Sequence, residues 1–318
     1  MIFAHLFYLK DMIGKIEKIR RTYRNYLTIV LHILRKKYPV QGILRNGNYI
    51  TLGNLKDVLC YVWAQGYEGI EFDLKNDSAI ISLPGYPSSN PKNVIINGIR
   101  QYSSAWIIIF LGGEYGYLPT EGRTVIDLGA QSGDSAVYFA LYGADKVIAL
   151  EPLRVNYEMA KINIDLNNVS NRITLLLAGC SSNPGYIGSD LYSKGDIKSY
   201  QEDDIKNGNL IPLLTLGDIL TQNKIQGDGL VLKMDCEGYE YDIILSATAE
   251  LLRQFSYIQV EYHYGYKNLK EKLEKCGFNV SFSRPRAVYI YQSQKQHMLT
   301  KYAKGNWVYV GYIYAKRN

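Results

Sequence analysis

From residue 124 onward, apolar and polar positions switch repeatedly between short continuous apolar runs and spacing of three or four. Val125, Ile126 and Leu128 form an apolar run around Asp127, the pattern of a buried strand, and Gly129 and Gly133 open the turn after it. Asp134-Ser135 then starts a helix, and either side chain suits its cap. Lys146 to Leu150 reads as a second strand, Leu153 to Asn167 as a helix, and Arg172 to Ala178 as a third strand. Leu230 to Met234 and Tyr257 to Tyr262 read as the fourth and fifth. Helical stretches at Tyr239 to Leu245 and Tyr266 to Cys276, and strands near Phe278 to Phe282 and Trp307 to Ala315, complete the set. Such alternation predicts a Rossmann-like α/β fold, a mostly parallel sheet with helices on both faces and ligands at the carboxyl ends of the strands. The closing strands have no helix between them, which predicts an antiparallel hairpin at the sheet edge.

Upstream the pattern is different. Ile13, Ile16, Ile19, Tyr23, Leu27, Val30 and Leu34 recur every three or four residues, which predicts one amphipathic helix over Lys10 to Lys37, ended by Pro39. Gly42 to Leu52 alternates around Asn46-Gly47 as a hairpin, Leu55 to Ala64 is helical, and Ile70 to Leu83 resembles a second hairpin turning at Asn76-Asp77. Pro84 to Asn93 is the clearest linker, so the expected division is an N-terminal helical and hairpin extension over 1–93 and a catalytic domain over 94–318. Ser181 to Leu214, rich in Gly, Ser, Asp and Lys, is too long for a structureless loop and predicts a hairpin or short helix over the pocket.

Composition narrows the function classes. At 318 residues, 47% apolar and 21% charged, the chain can bury a full core. No run approaches the roughly 18 to 20 apolar residues of a spanning helix, Ala105 to Leu111 being the longest candidate. The start, MIFAHLFYLK, lacks the marks of a signal peptide. Cys60, Cys180, Cys236 and Cys276 are widely spaced, with no histidine at zinc spacing, which predicts buried thiols and a cytoplasmic location. Lys10 to Lys37 holds nine basic residues and two acids, so the net charge of +6 is concentrated there. That stretch is either a solvated face or a contact for phosphates on nucleic acid, an anionic membrane or a glycolipid.

The acids carry the chemistry. Glu151 stands at the end of the second strand, 22 residues beyond Gly129, where a carboxylate accepts both hydroxyl hydrogens of a ribose. The turn Gly129-Ala130-Gln131-Ser132-Gly133 is not the G-x-G-x-x-G of a dinucleotide site. Asp134 at the helix start would repel a pyrophosphate but suits a ligand carrying an ammonium and a sulfonium. A second cluster, LKMDCEGYEYDII, crowds Lys233, Asp235, Glu237, Glu240 and Asp242 at the end of the fourth strand. The fifth strand ends in Glu261-Tyr262-His263, with Glu261 and His263 on one face.

VIDLGAQSGDSAVYFA, VIALEP, LKMDCEGYEYDII, QVEYH and a final VGYIYA together resemble the FkbM methyltransferases, class I enzymes that use S-adenosylmethionine and mostly methylate hydroxyl groups. The resemblance covers about residues 112 to 315. It implies that Asp127, Gly129, Ala130, Gly133 and Asp134 surround the methionine part and Glu151 the ribose. Gln131, Ser135, Pro152, Ala178 and Asp235 complete the expected cofactor-binding set. Asp235, Glu237 and His263 are the candidate catalytic residues, and Glu237, Glu240 and Glu261 the candidate acceptor-binding ones. Gln131 stands where the family motif usually has asparagine. Two forms of the chemistry follow: a metal-free one with Asp235 or His263 as base, which is favoured, and one with Asp235, Glu237 and Glu261 holding a divalent cation. The acceptor is expected to be a sugar, glycan or related small molecule. The alternatives are an RNA methyltransferase using the basic helix, or a nucleoside-binding module without catalysis.

Overall fold

The structure is a computed structural model that describes residues 14–83, 93–188, 210–225, 227, 229–290, 302 and 305–317. The start of the basic stretch, nearly all of the 84–93 linker and the middle of the Ser181 to Leu214 segment lie outside the described residues. The chain forms two compact units that divide between Gly112 and Gly113.

In the first unit the basic stretch is not one helix. Residues 14–22 are helical, the chain then breaks, and a second helix runs over Tyr26–Arg35. The break has a local cause. Buried Tyr23 forms a bridge with Leu44, Arg24 N–H donates to the Ile43 carbonyl, and the Asn25 side chain accepts from Ile43 N–H. These bonds tie the break to the hairpin Val40–Ile43 and Tyr49–Leu52 and reset the helical phase. Ile29 becomes the buried residue, while Leu27 and Leu34, expected on the inner face, are 63% and 71% exposed.

The helix Leu55–Trp63 is capped by Asn54, whose side chain accepts from Asp57 N–H. A three-stranded antiparallel sheet follows, Ile70–Asp73, Ser78–Ser82 and Asn93–Asn97, and then the helix Ile99–Phe110. The unit therefore extends well past residue 93, because Asn93–Asn97 completes this sheet by pairing with Ser78–Ser82. The apolar run that begins at Ala105 ends the helix Ile99–Phe110, with Trp106, Ile107, Ile109 and Phe110 buried and Ile108 exposed.

The second unit is built on one large sheet. Its strands are β1 Thr124–Leu128, β2 Lys146–Leu150, β3 Ile173–Leu176, β4 Leu230–Met234, β5 Phe255–Tyr262, β6 Phe278–Phe282 and β7 Trp307–Arg317. The sheet order is β6-β7-β5-β4-β1-β2-β3, with β7 antiparallel to both neighbours and parallel pairing from β5 across to β3. The order reverses direction at β1, which makes the crevice beyond β1 and β4 the topological switch point where such sheets bind ligands.

Strands β1, β2 and β4 are buried on both faces, which explains why they read as continuous apolar runs. The expected edge hairpin is arranged otherwise. Strand β7 lies between β5 and β6, and its tight partner in sequence is an extra strand, Arg286–Tyr289. The described ends of the Ser181 to Leu214 segment form an antiparallel strand pair: Gly185–Gly188 pairs with Leu210–Leu214, which runs parallel to Gly179–Cys180.

Candidate functional site

Parallel pairing brings the carboxyl ends of β2, β1, β4 and β5 to one side of the sheet. Glu151 follows β2, the Gly129 turn follows β1, Asp235 follows β4 and His263 follows β5. Every candidate acid except Asp127, Asp134, Glu240 and Glu261 thus stands within two or three residues past a strand end; Asp127 and Glu261 lie within strands.

The base of the site is an ion pair between neighbouring strands. Asp127 and Lys233 are register partners on β1 and β4, and Lys233 Nζ lies 3.1 Å from Asp127 Oδ1 with both side chains sealed from solvent. Lys233 also donates to the Gly129 carbonyl at 2.6 Å, and Ser135 Oγ donates to Asp127 Oδ2 at 2.6 Å. Burial opposes the charge on Lys233, but Asp127, Asp235 and Asp134 outweigh it and hold the ammonium protonated. Asp127, fully buried, therefore anchors the turn and has no surface for the cofactor contact expected of it.

The turn itself is shaped by close approach. A Cβ on Gly129 would stand 1.9 Å from the Asp235 carbonyl oxygen, and its φ of +82° is in the left-handed region. Gln131 also has positive φ, 45°, a conformation that asparagine adopts more readily than glutamine. Its N–H donates to Glu151 Oε2 at 2.9 Å. Glu151 receives two further donors, Leu153 N–H at 2.8 Å and Asn156 Nδ2 at 3.3 Å. Burial, partly offset by these donors, pushes Glu151 up to about 7. Asp134, buried and accepting from Ser135 N–H and Ser132 Oγ, is likewise pushed up to about 7 by burial, against the pull of Lys233. Ala130 and Ser135 are buried in and just after this turn, Ala178 is buried two residues past β3, and Pro152 stands between Glu151 and Leu153.

At the β4 and β5 ends, Asp235, Glu237 and His263 converge. His263 Nε2 is 3.5 Å from Glu237 Oε2 and 3.9 Å from Asp235 Oδ1, and one ligand atom from each of the three residues lies within 4.8 Å of the others. On the other side of the ring Nδ1 is 3.3 Å from Glu240 Oε1. Glu240 is fully buried and fixed by Cys236 N–H at 2.6 Å and Gly238 N–H at 2.8 Å, so it fastens the turn before its own helix, Glu240–Ser246, and faces the imidazole at once. It is not open to an acceptor. Burial works against a charged imidazole, but Glu240, then Asp235 and Glu237, outweigh it and push His263 up to about 10. With carboxylates on both edges of its ring, His263 is held in one orientation at the end of β5.

Glu261 belongs to a neighbouring group that the sequence did not reveal. Tyr312, on β7, donates to Glu114 and stands 3.4 Å from Glu261 Oε2, while Gln259 Nε2 donates to the Glu114 carbonyl. Burial, and then the charge of Asp235, push Glu261 well above the usual carboxylate range. Tyr115, Asp235, Gln259, Glu261 and Tyr312 line a narrow cleft here. Nothing local in the sequence marks Glu114 or Tyr312, because 198 positions separate them. A broader hollow of about 530 Å³ in the first unit, lined by Asn46, Tyr49, Tyr61 and Phe72 among others, contains no acid, base or histidine and so offers no comparable chemistry.

All four cysteines are free, three of them buried and Cys236 half-buried. Among the described residues no helix is long and apolar enough to cross a membrane.

Comparison with known proteins bears on the second unit. Residues 127–280 match the family profile described as the methyltransferase FkbM domain, just under half of the chain. No curated protein matches the chain by sequence. Solved structures with a similar fold include a transferase from Pyrococcus horikoshii, 15% identical, covering 76% of this chain and 73% of that one at a TM-score of 0.38. The tRNA m1G37 methyltransferase of Methanocaldococcus jannaschii is 13% identical, with 86% and 61% covered and a TM-score of 0.40. The METTL16 methyltransferase domain is 16% identical, with 89% and 90% covered and a TM-score of 0.40. The domain match spans the Gly129 turn, Glu151, the β4 acids and His263, so the whole candidate site at the β1, β2, β4 and β5 ends falls within the stretch that matches the methyltransferase FkbM domain.

Proposed function

We propose that the chain transfers a methyl group from S-adenosylmethionine to a hydroxyl oxygen of a sugar, glycan or related small molecule. The observation that carries this reading is the pairing of two sites across one sheet end. Glu151, buried at the end of β2 and fixed by three N–H donors, supports a ribose contact, and the Asp235–Glu237–His263 cluster stands beyond the strands β4 and β5 of the same sheet. The close approach of Gly129 to Asp235 leaves the turn no room for a side chain, which suits a ligand lying along bare backbone.

When bound, S-adenosylmethionine supplies an electrophilic methyl group on a sulfonium that departs as a neutral thioether. The protein's part is alignment and proton removal. Glu151 holds the ribose hydroxyls, and the turn from Gly129 to Asp134 flanks the methionine part. Asp235 presents a carboxylate to the reacting end, where negative charge favours the sulfonium. The acceptor oxygen forms its new bond to carbon as its proton passes to the carboxylates of Asp235 or Glu237, with His263 orienting both. Glu261 and Tyr312 flank the acceptor with a carboxyl and a hydroxyl, groups that match a polyhydroxylated molecule.

Purified protein incubated with methyl-labelled donor and fractionated cell extract tests the reading. A labelled product whose label is retained by alkali-stable ether linkages supports O-methylation. Label confined to nucleic acid or to amine nitrogen would refute it.

A further inference from the structure

The cluster at the ends of β4 and β5 has a feature that proton transfer does not need. His263 is nine-tenths buried, its Nδ1 side is occupied by a carboxylate that is itself immobilised by two backbone N–H groups, and its Nε2 edge is turned toward two more carboxylates. A carboxylate behind a histidine, fixing its tautomer and orientation so that the opposite nitrogen faces outward, is the arrangement that supports imidazole as a metal ligand. Three donors on one side of a centre are also what a catalytic site offers when it must leave positions open for substrate.

The distances agree with this arrangement. Donors about 2.1 Å from an octahedral ion are about 3 Å apart at right angles and about 4 Å apart across it. The His263 Nε2 separations of 3.5 Å and 3.9 Å, and the 4.8 Å limit for the whole set, need only small rotations of Asp235 and Glu237 to converge on one point. Glu237 has that freedom, since its side chain is 56% exposed, whereas His263 and Glu240 are held. Asp235, Glu237 and Glu240 all lie within 4 Å of the one imidazole, and Lys233 is committed to Asp127 and the Gly129 carbonyl.

We infer that Asp235, Glu237 and His263 form a binding site for a divalent cation, with Glu240 as the positioning residue behind His263. The ligand set replaces Glu261, named from sequence, with His263. Two carboxylate oxygens and one imidazole nitrogen suit Mn²⁺, which accepts both, better than Mg²⁺ or Ca²⁺, which favour oxygen alone. Asp235 also lines the cleft shared with Glu261 and Tyr312, so an acceptor bound there would meet the cation, and the acceptor class proposed is a vicinal diol or another chelating pair of oxygens. A cation there would lower the pKa of the bound hydroxyl and so ease loss of its proton. This inference rests on the methyl-transfer reading for its purpose, but not for its test.

The experiment is titration of the full chain with Mn²⁺ alone, followed by electron paramagnetic resonance and calorimetry, beside a separate titration with S-adenosylmethionine. One ion per chain is expected. Glu237→Gln, at an exposed position that leaves the fold intact, and His263→Gln should each weaken Mn²⁺ binding about tenfold or more. Glu240→Gln should weaken it by about 10- to 100-fold, the usual cost of losing a carboxylate behind a ligating histidine. Donor affinity should be unchanged in Glu237→Gln. Mn²⁺ binding as tight in Glu237→Gln and His263→Gln as in the native chain, or no specific binding at about 1 mM Mn²⁺, weaker than known protein cation sites, would overturn the site. Loss of donor binding in the native chain would instead overturn the methyl-transfer reading and leave the cation result standing.

Discussion

Lys233→Met is expected to be among the costliest single changes in the catalytic unit, and its cost can be worked from the geometry. At 3.1 Å, an effective dielectric of about 20 gives roughly 5 kcal/mol of attraction between Lys233 and Asp127. Each ion loses several kcal/mol of hydration on burial, so the pair is worth little against two apolar residues of equal size. Removing one partner is a different matter. Methionine fills the space of the lysine stem but leaves Asp127 charged, buried and held only by Ser135 Oγ, and it leaves the Gly129 carbonyl without its 2.6 Å donor. The expected loss is about 3–5 kcal/mol. Asp127→Asn in the same background removes the stranded charge and should restore part of that loss. The assay is urea unfolding of the native chain, both single variants and the double variant, analysed as a cycle. A Lys233→Met loss below about 1 kcal/mol, or strict additivity in the double variant, would show that the pair does not anchor the turn.

Glu151 makes donor binding pH-dependent. With its carboxyl pushed up to about 7, affinity should rise as pH increases through 7 and level off above, because the ribose needs the ionised form. Calorimetry in buffers of different ionisation enthalpy should detect proton release below that pH. In the free protein the sign is opposite: the raised value means that the folded state holds the proton more tightly. This contribution to stability is present in full below about 4.5 and is lost as pH rises through about 7. Glu151→Ala should weaken donor binding about ten- to a hundredfold, from the roughly 1.5 to 3 kcal/mol of charge-assisted hydrogen bonds. Gly129→Ala forces a methyl group against the Asp235 carbonyl in a left-handed backbone, a strain of at least about 1–2 kcal/mol. Thermal unfolding and donor titration should both worsen, and unchanged turnover would contradict the tight contact. Tyr312→Phe strands Glu114 and Glu261 without a hydroxyl donor and should reduce acceptor affinity while sparing donor affinity, read as a rise in KM for acceptor alone.

The parts of the fold that were legible in the sequence are those whose signal is local. Leu230–Met234 and Phe278–Phe282 have the boundaries expected of them, because β4 is buried on both faces and β6 follows directly on Gly277. Glu151 was readable for a similar reason, since a strand of five apolar positions ends immediately before it. Other signals were present but overlooked. The helix Leu216–Gln222 opens on a capping box, Thr215 with Asp218, which a reading of spacing alone passes over. The apolar run at 105–111 was weighed only against membrane length, although it belongs to the amphipathic helix Ile99–Phe110. What could not be read is what depends on pairing between distant strands. That Asp127 meets Lys233 is decided by the register of β1 on β4, and that Tyr312 meets Glu114 by where β7 enters the sheet.

The position of β7 also has a consequence for how the protein is made. Chain growth delivers β5 and β6 first, yet they are not neighbours: the gap between them is filled by residues 307–317, the last described strand to be synthesised. Until that strand arrives, both β5 and β6 present open hydrogen-bonding edges, and Glu114 and Glu261 lack their shared tyrosine. A nascent chain can therefore fold the turn and crevice around β1 and β2 while the cleft at Glu261 is still unfinished. Premature termination before residue 307 would yield a species with a formed crevice at β1 and β2, no completed cleft at Glu261 and two exposed edges prone to self-association.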